Sequence, residues 1–189
     1  HPAATLGSPL DPDAFEYLEL ANISETVTLD LTGVRLVNGI EFDFTGSAVS
    51  SLVPGARVLV VKNAAAFVAR YGTGRPVAGQ FTGNLNNAGE RIQLLDASNE
   101  EILDFSYDDD WHPLVDGLGF SLVLADPTAP PEAWNGSSQW RPSSAPSGSP
   151  GLADPPPPVI AGVLITEALT RNDAPSPPDT IELHNPTEQ

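Results

Sequence analysis

Turn-forming residues break this chain roughly every 8–12 residues, with short runs of alternating apolar and polar side chains between them. That rhythm leaves little room for long helices and demands a fold of many short strands. Its sharpest instance is Asn38-Gly39. A type I′ turn needs positive φ at both central residues, which Asn and Gly tolerate, so a two-residue hairpin is expected there. Val34 to Val37 supplies one arm and Ile40 to Phe44 the other, with Ile40, Phe42 and Phe44 on one face. Pro54-Gly55 turns the chain into Arg57-Val58-Leu59-Val60-Val61, an unbroken apolar run expected to be buried on both faces. Earlier strands are expected from Phe15 to Leu20, with Asn22 opening a turn, and at Val27 to Leu29.

Asn63-Ala64-Ala65-Ala66-Phe67-Val68-Ala69-Arg70-Tyr71 is the single convincing helix, with Asn63 as N-cap and Gly72 as its stop. Gly83 to Gly89 reads as a polar loop whose asparagines satisfy backbone groups at a corner. Arg91 to Asp96 and Glu101 to Tyr107 form a second hairpin, and Phe120 to Leu124 closes the set. Residues 125–152, rich in Pro, Ser and Gly, are expected to drape Trp134 and Trp140 over the surface. The fold class is therefore all-β: an immunoglobulin-like antiparallel β-sandwich with one short helix at about residues 63–71.

The final stretch begins the pattern again. Leu18-Glu19-Leu20-Ala21-Asn22-Ile23-Ser24-Glu25 and Ile181-Glu182-Leu183-His184-Asn185-Pro186-Thr187-Glu188 share four of eight residues at a spacing of 163. That spacing is a domain length rather than a solenoid period. The expected organisation is a sandwich over 1–152, a Pro-rich linker over 153–159 and the start of a second repeat over 160–189. The first residue is His1 and the chain has no Met, so it is expected to be a processed or excised piece.

A net charge of −17, with eight basic residues scattered singly, excludes a phosphate-neutralising surface and with it nucleic-acid binding by this segment. No apolar run is long enough to insert in a membrane as a helix. Zero Cys excludes disulfides, thiolate catalysis and Cys-based zinc sites.

Residues 83–122 add a family resemblance. Gly83-Asn84-Leu85-Asn86-Asn87-Ala88-Gly89-Glu90-Arg91-Ile92 with Leu94-Leu95-Asp96 resembles the bacterial lamin tail domain. So do Leu103-Asp104-Phe105-Ser106-Tyr107, Trp111 and Asp116-Gly117-Leu118-Gly119-Phe120-Ser121-Leu122. Trp140-Arg141-Pro142, Gly148-Ser149-Pro150-Gly151, Glu16 to Asn22 and Leu31 to Leu36 extend the likeness over residues 14–152. The resemblance implies an immunoglobulin-like sandwich without catalytic residues, appended to large exported or surface proteins. It also implies an opening strand similar to Leu164-Ile165-Thr166-Glu167-Ala168-Leu169, which the first copy lacks. An open sheet edge is then expected, filled by residues 163–170 of the same molecule or, as a strand-swapped homodimer, of a neighbour.

Several residue groups invite a chemical reading. Asp108, Asp109 and Asp110 crowd oxygens as a Ca²⁺ site would, with Asp104 or Asp116 able to contribute, but lack a Gly-spaced calcium loop. A solvated acidic loop is the plainer reading. Asp11, Asp13, Glu16 and Glu19 form a second acidic group, read as a solvated edge because Glu16 and Glu19 point to opposite faces of a strand. His1, His112 and His184 lack ligand spacing, and Ser121 with His112 and Asp116 lacks the elbow of a triad. Trp111 and Trp140 are candidate sugar-stacking ligand residues, against a packing cap that includes Trp134.

The expected function is a non-catalytic binding or structural module, for adhesion, scaffolding or presentation, in an extracellular or surface-displayed bacterial protein. Its expected partner is a protein or cell-surface polymer, with no required cofactor. Two alternatives are an accessory domain targeting a hydrolase or nuclease, and a carbohydrate-binding module.

Overall fold

A computed structural model describes residues 2–3, 9–156, 164–169 and 180–184. His1, residues 157–159 of the expected linker and residues 160–163, 170–179 and 185–189 of the expected second repeat lie outside the described residues. The chain divides into two units, His1–Pro155 and Pro156–Gln189.

The first unit runs β1 (Tyr17–Ala21), β2 (Leu29–Asp30), β3 (Arg35–Val37), β4 (Ile40–Asp43), β5 (Ser51–Leu52) and β6 (Arg57–Val61). Helix α1 (Ala64–Tyr71) follows, then β7 (Val77–Gln80), β8 (Thr82–Gly83), β9 (Glu90–Leu95), β10 (Glu101–Tyr107), β11 (Leu122–Leu124) and β12 (Trp140–Pro142). One sheet has the order β1-β6-β7 and another β10-β9-β3-β4-β8, with β2-β5 and β11-β12 as small pairs. Val58 and Val60 from the first sheet meet Leu36, Ile40, Ile92 and Leu94 from the second, around Phe44 and Phe81. That is the immunoglobulin-like sandwich expected, with one helix among the described residues.

One pairing departs from the antiparallel rule: β6 and β7 are parallel. Parallel neighbours need a crossover between them, and α1 supplies it. The helix lays Phe67 on Leu59 and Val61, the second face of β6, so this strand is buried on both sides as its unbroken apolar run required. Asn63 caps the helix by accepting the Ala66 N–H at 3.0 Å, and the Gly72 N–H closes it on the Val68 carbonyl at 2.9 Å. Asn63→Ala should lower stability by about 1 kcal/mol and Asn63→Asp should restore most of it, measured as shifts of the urea midpoint.

Asn38 and Gly39 have φ of 63° and 68°, the hairpin geometry expected of them. The strand expected from Phe15 instead starts at Tyr17. Pro12 to Phe15 make a 3₁₀ turn because Asp11 caps it, its Oδ1 accepting the Asp13 N–H at 3.0 Å. Phe15 is buried there, and the Arg70 guanidinium stands 3.3 Å from its ring centre. The strand expected over Val27 to Leu29 reduces to Leu29–Asp30, and the one over Phe120 to Leu124 to Leu122–Leu124. β5, β7, β8 and β12 have no counterpart in the sequence reading.

Asp154, placed in the linker with its prolines, is held in the first unit. Its carboxylate accepts from Arg141 Nη1 at 2.5 Å, Ser149 Oγ at 3.0 Å and Ser144 N–H at 3.1 Å. Burial raises its pKa, and these donors outweigh burial and hold it below the usual carboxylate value.

The second unit contains β13 (Leu164–Leu169) and β14 (Thr180–His184), an antiparallel pair with Ile165 opposite Leu183 and Ala168 opposite Ile181. Within the stretch expected to fill the open sheet edge, residues 164–169 form β13, whose partner among the described residues is β14.

Candidate functional site

The acidic group at the start of β1 differs most from its sequence reading. Glu16, Leu18, Leu20 and Asn22 share the inward face, so Glu16 enters the core side instead of a solvated edge. Only 4% of Glu16 is exposed. Its Oε2 accepts the Leu85 N–H at 3.1 Å, while its Oε1, also buried, has no hydrogen-bond partner. Burial is the largest influence on this carboxyl and lifts its pKa from 4.5 to about 7; the Leu85 N–H opposes it, Asp13 and Glu90 add to it, and Lys62 opposes it.

Glu19 is not a solvated edge group either. It pairs with Arg57 at 2.7 Å and accepts the Gly151 N–H at 2.6 Å, binding the loop after β12 to β1. The two carboxylates thus serve different partners, consistent with opposite faces. Next to them is a cleft of about 340 Å³ lined by Asp11, Asp13, Ala14, Lys62, Asn63 and Asn84. Within that lining Asp11 and Asn63 are already committed as caps.

The loop over Leu85 is fixed from both ends. Asn86 Oδ1 accepts the Ala88 N–H at 2.9 Å, Glu90 Oε1 accepts the Asn86 N–H at 2.8 Å, and the Tyr107 hydroxyl donates to the Asn86 carbonyl at 2.9 Å. Burial, with the Glu90 carboxylate beside it, pushes the Tyr107 phenol up, so it is a neutral donor at physiological pH. This is the corner role read from the asparagines.

Asp108, Asp109 and Asp110 each bring one carboxylate oxygen within 4.8 Å of the others. Asp108 caps the 3₁₀ turn Asp109–Trp111, its Oδ1 accepting the Asp110 N–H at 2.9 Å. Asp104 is held away as a two-pronged pair with Arg91, whose Nε lies 2.7 Å from Oδ1. Three oxygens, one already accepting a backbone N–H, are about half or fewer of the six to eight that Ca²⁺ takes.

The aromatic residues form a packed cap. Trp140 lies 5.4 Å from Phe105, 6.3 Å from Trp134 and 6.4 Å from Trp111, ring centre to ring centre. Its indole N–H donates to the Trp134 carbonyl at 2.7 Å, and that of Trp134 to the Ala129 carbonyl at 3.1 Å. Trp140 thus contacts three aromatic rings while remaining half-buried, and Trp111 is half-buried at the margin. His112 Nε2 donates to the Trp140 carbonyl at 2.9 Å, and the Ser121 N–H donates to the Ser143 hydroxyl oxygen at 3.1 Å.

Comparison with known proteins yields one family. The Lamin Tail Domain family model matches residues 4–109, over half of the chain. The matched segment contains β1 to β10 and the Glu16–Leu85 contact, and stops before the Trp111–Trp140 cap. It is an immunoglobulin-like, non-enzymatic fold family. No curated protein matches the chain.

Proposed function

This chain belongs to the lamin tail domain family, and we propose that it is a non-catalytic binding or structural module of an exported or surface-displayed bacterial protein, acting in adhesion, scaffolding or presentation. One observation supports the non-catalytic reading. The groups that suggest chemistry in the sequence are bound to structural partners: Glu16 to Leu85, Glu19 to Arg57, Asp104 to Arg91, Asp108 to the Asp110 N–H and His112 to Trp140. An acid or base working on a substrate needs a second group converging on the same atom. The partner is a protein or cell-surface polymer that accepts a densely negative surface, since the chain carries −17.

The test has two arms. The chain should turn over no ester, glycoside, phosphomonoester or phosphodiester above buffer, and should bind bacterial envelope fractions saturably, more weakly as salt rises. Turnover that disappears in Glu16→Gln would overturn the first half of the reading. Absence of binding to every protein and polysaccharide fraction would overturn the second.

A further inference from the structure

The open edge of β1 carries the strongest unassigned feature of the molecule. Glu16 and Asn22 hydrogen-bond to Lys62 and Ala56 at the two ends of the β1–β6 pair, so residues of even number face β6. The peptide groups of Tyr17, Glu19 and Ala21 therefore turn the other way, and among the described residues no strand pairs with them. The margins at β10 and β7 each meet another segment. Asn135 Oδ1 takes the Ser106 N–H of β10 at 2.8 Å, and the Ala48 N–H meets the Ala78 carbonyl of β7 at 3.0 Å. Unpaired edges invite another chain.

The second unit states which sequence fits that edge. At the repeat spacing of 163, β14 (Thr180–His184) coincides residue for residue with β1 (Tyr17–Ala21). β14 has a partner on one side, β13. In the first unit β6 occupies one edge of β1, so only the other edge remains for a strand like β13. Transferred onto β1, the β13–β14 register sets Leu164 opposite Ala21, Ile165 opposite Leu20, Ala168 opposite Leu18 and Leu169 opposite Tyr17. Leu18 and Leu20 pack against the sandwich core. Ile165 and Ala168 would extend that apolar face, whereas in the second unit Ile165, Ile181 and Leu183 are 67%, 66% and 65% exposed.

We infer that the free edge of β1 is an acceptor for residues 164–169 of a second copy of this chain, added antiparallel in that register. Among the described residues β13 pairs with β14, and no strand pairs with the outer edge of β1. A lone two-stranded hairpin with an exposed apolar face is marginal in water, and joining a core-backed sheet is the more stable arrangement for the same six residues. Exchange in both directions gives a closed two-fold dimer.

The absence of Cys from the chain permits a clean register test. Chains bearing Ala21→Cys and Leu164→Cys, mixed and oxidised, should form a covalent heterodimer in preference to either homodimer. The unsubstituted chain of residues 1–189 should show a dimer fraction rising with concentration in sedimentation velocity. Ile165→Asp, which places a charge where Leu20 needs an apolar neighbour, should weaken dimerisation at least about tenfold. Three results would overturn the inference: a monomer at every concentration, a dimer that Ile165→Asp leaves intact, or no preference for the covalent heterodimer over the two homodimers in the oxidised mixture.

Discussion

Glu16→Gln is expected to raise the melting temperature at pH 8 by roughly 5–10 °C, an unusual gain for replacing a buried hydrogen-bonded residue. The gain follows from proton linkage. The folded protein holds the Glu16 proton up to about pH 7, while the unfolded chain releases it near 4.5. Between those values folding takes up a proton, so the stability associated with the neutral acid is present below pH 4.5 and is lost as pH rises through 7. The loss is about 3 kcal/mol once the carboxylate is charged, at 1.36 kcal/mol per unit. Gln keeps an acceptor for the Leu85 N–H and never ionises. Thermal melts of both proteins from pH 4.5 to 8.5 should therefore converge at the acid end and separate above pH 5. Parallel curves would show that Glu16 titrates like an exposed carboxyl.

The same residue shows where sequence reading stops. The strand after Phe15 was legible from its alternation, yet the face was ambiguous because β1 is apolar on both sides. Leu18 and Leu20 pack into the main core, and Tyr17 packs with Phe67 and Tyr71 beneath the helix. With two apolar faces, parity does not tell which one Glu16 shares. The even spacing from Glu16 to Leu18 and Leu20 was the available signal, and a net charge of −17 obscured it by making solvated carboxylates the ordinary case.

Elements with strong local causes were legible: the Asn38-Gly39 hairpin, the helix between Asn63 and Gly72, and the doubly buried β6. Elements without local causes were not. β8 is two residues long and pairs with β4 through Gly83 and Thr82, a segment whose composition signals a loop. β12 exists because Leu122, Val123 and Leu124 meet Pro142, Arg141 and Trp140, a pairing across a Pro- and Ser-rich segment that no short window reveals. The Trp cap was legible as packing, since three indoles beside Pro-rich coil have more apolar area than such coil can leave in water.

Gly89→Ala is expected to cost about 2–5 kcal/mol, and comparison with Gly46→Ala separates its two causes. Both glycines have positive φ, +90° and +71°, so either alanine carries the left-handed penalty of about 1–2 kcal/mol. Around Gly46 nothing lies within 4 Å, and the penalty should end there. At Gly89 a Cβ would collide with the Tyr107 carbonyl oxygen and lie 2.9 Å from Asp108 Cα. Both atoms are backbone at the end of β10, and neither can swing aside as a side chain could. Retreat is blocked, because the Tyr107 hydroxyl grips the Asn86 carbonyl and Glu90 holds the Asn86 N–H. The collision therefore strains the corner that seats the Leu85 N–H on Glu16. Gly89→Ala should lose its urea midpoint well beyond Gly46→Ala, and should also shift the Glu16-dependent part of the pH–stability curve, which Gly46→Ala leaves in place. Equal losses in the two variants would mean that the corner can give way, and that Gly89 is required for its φ alone.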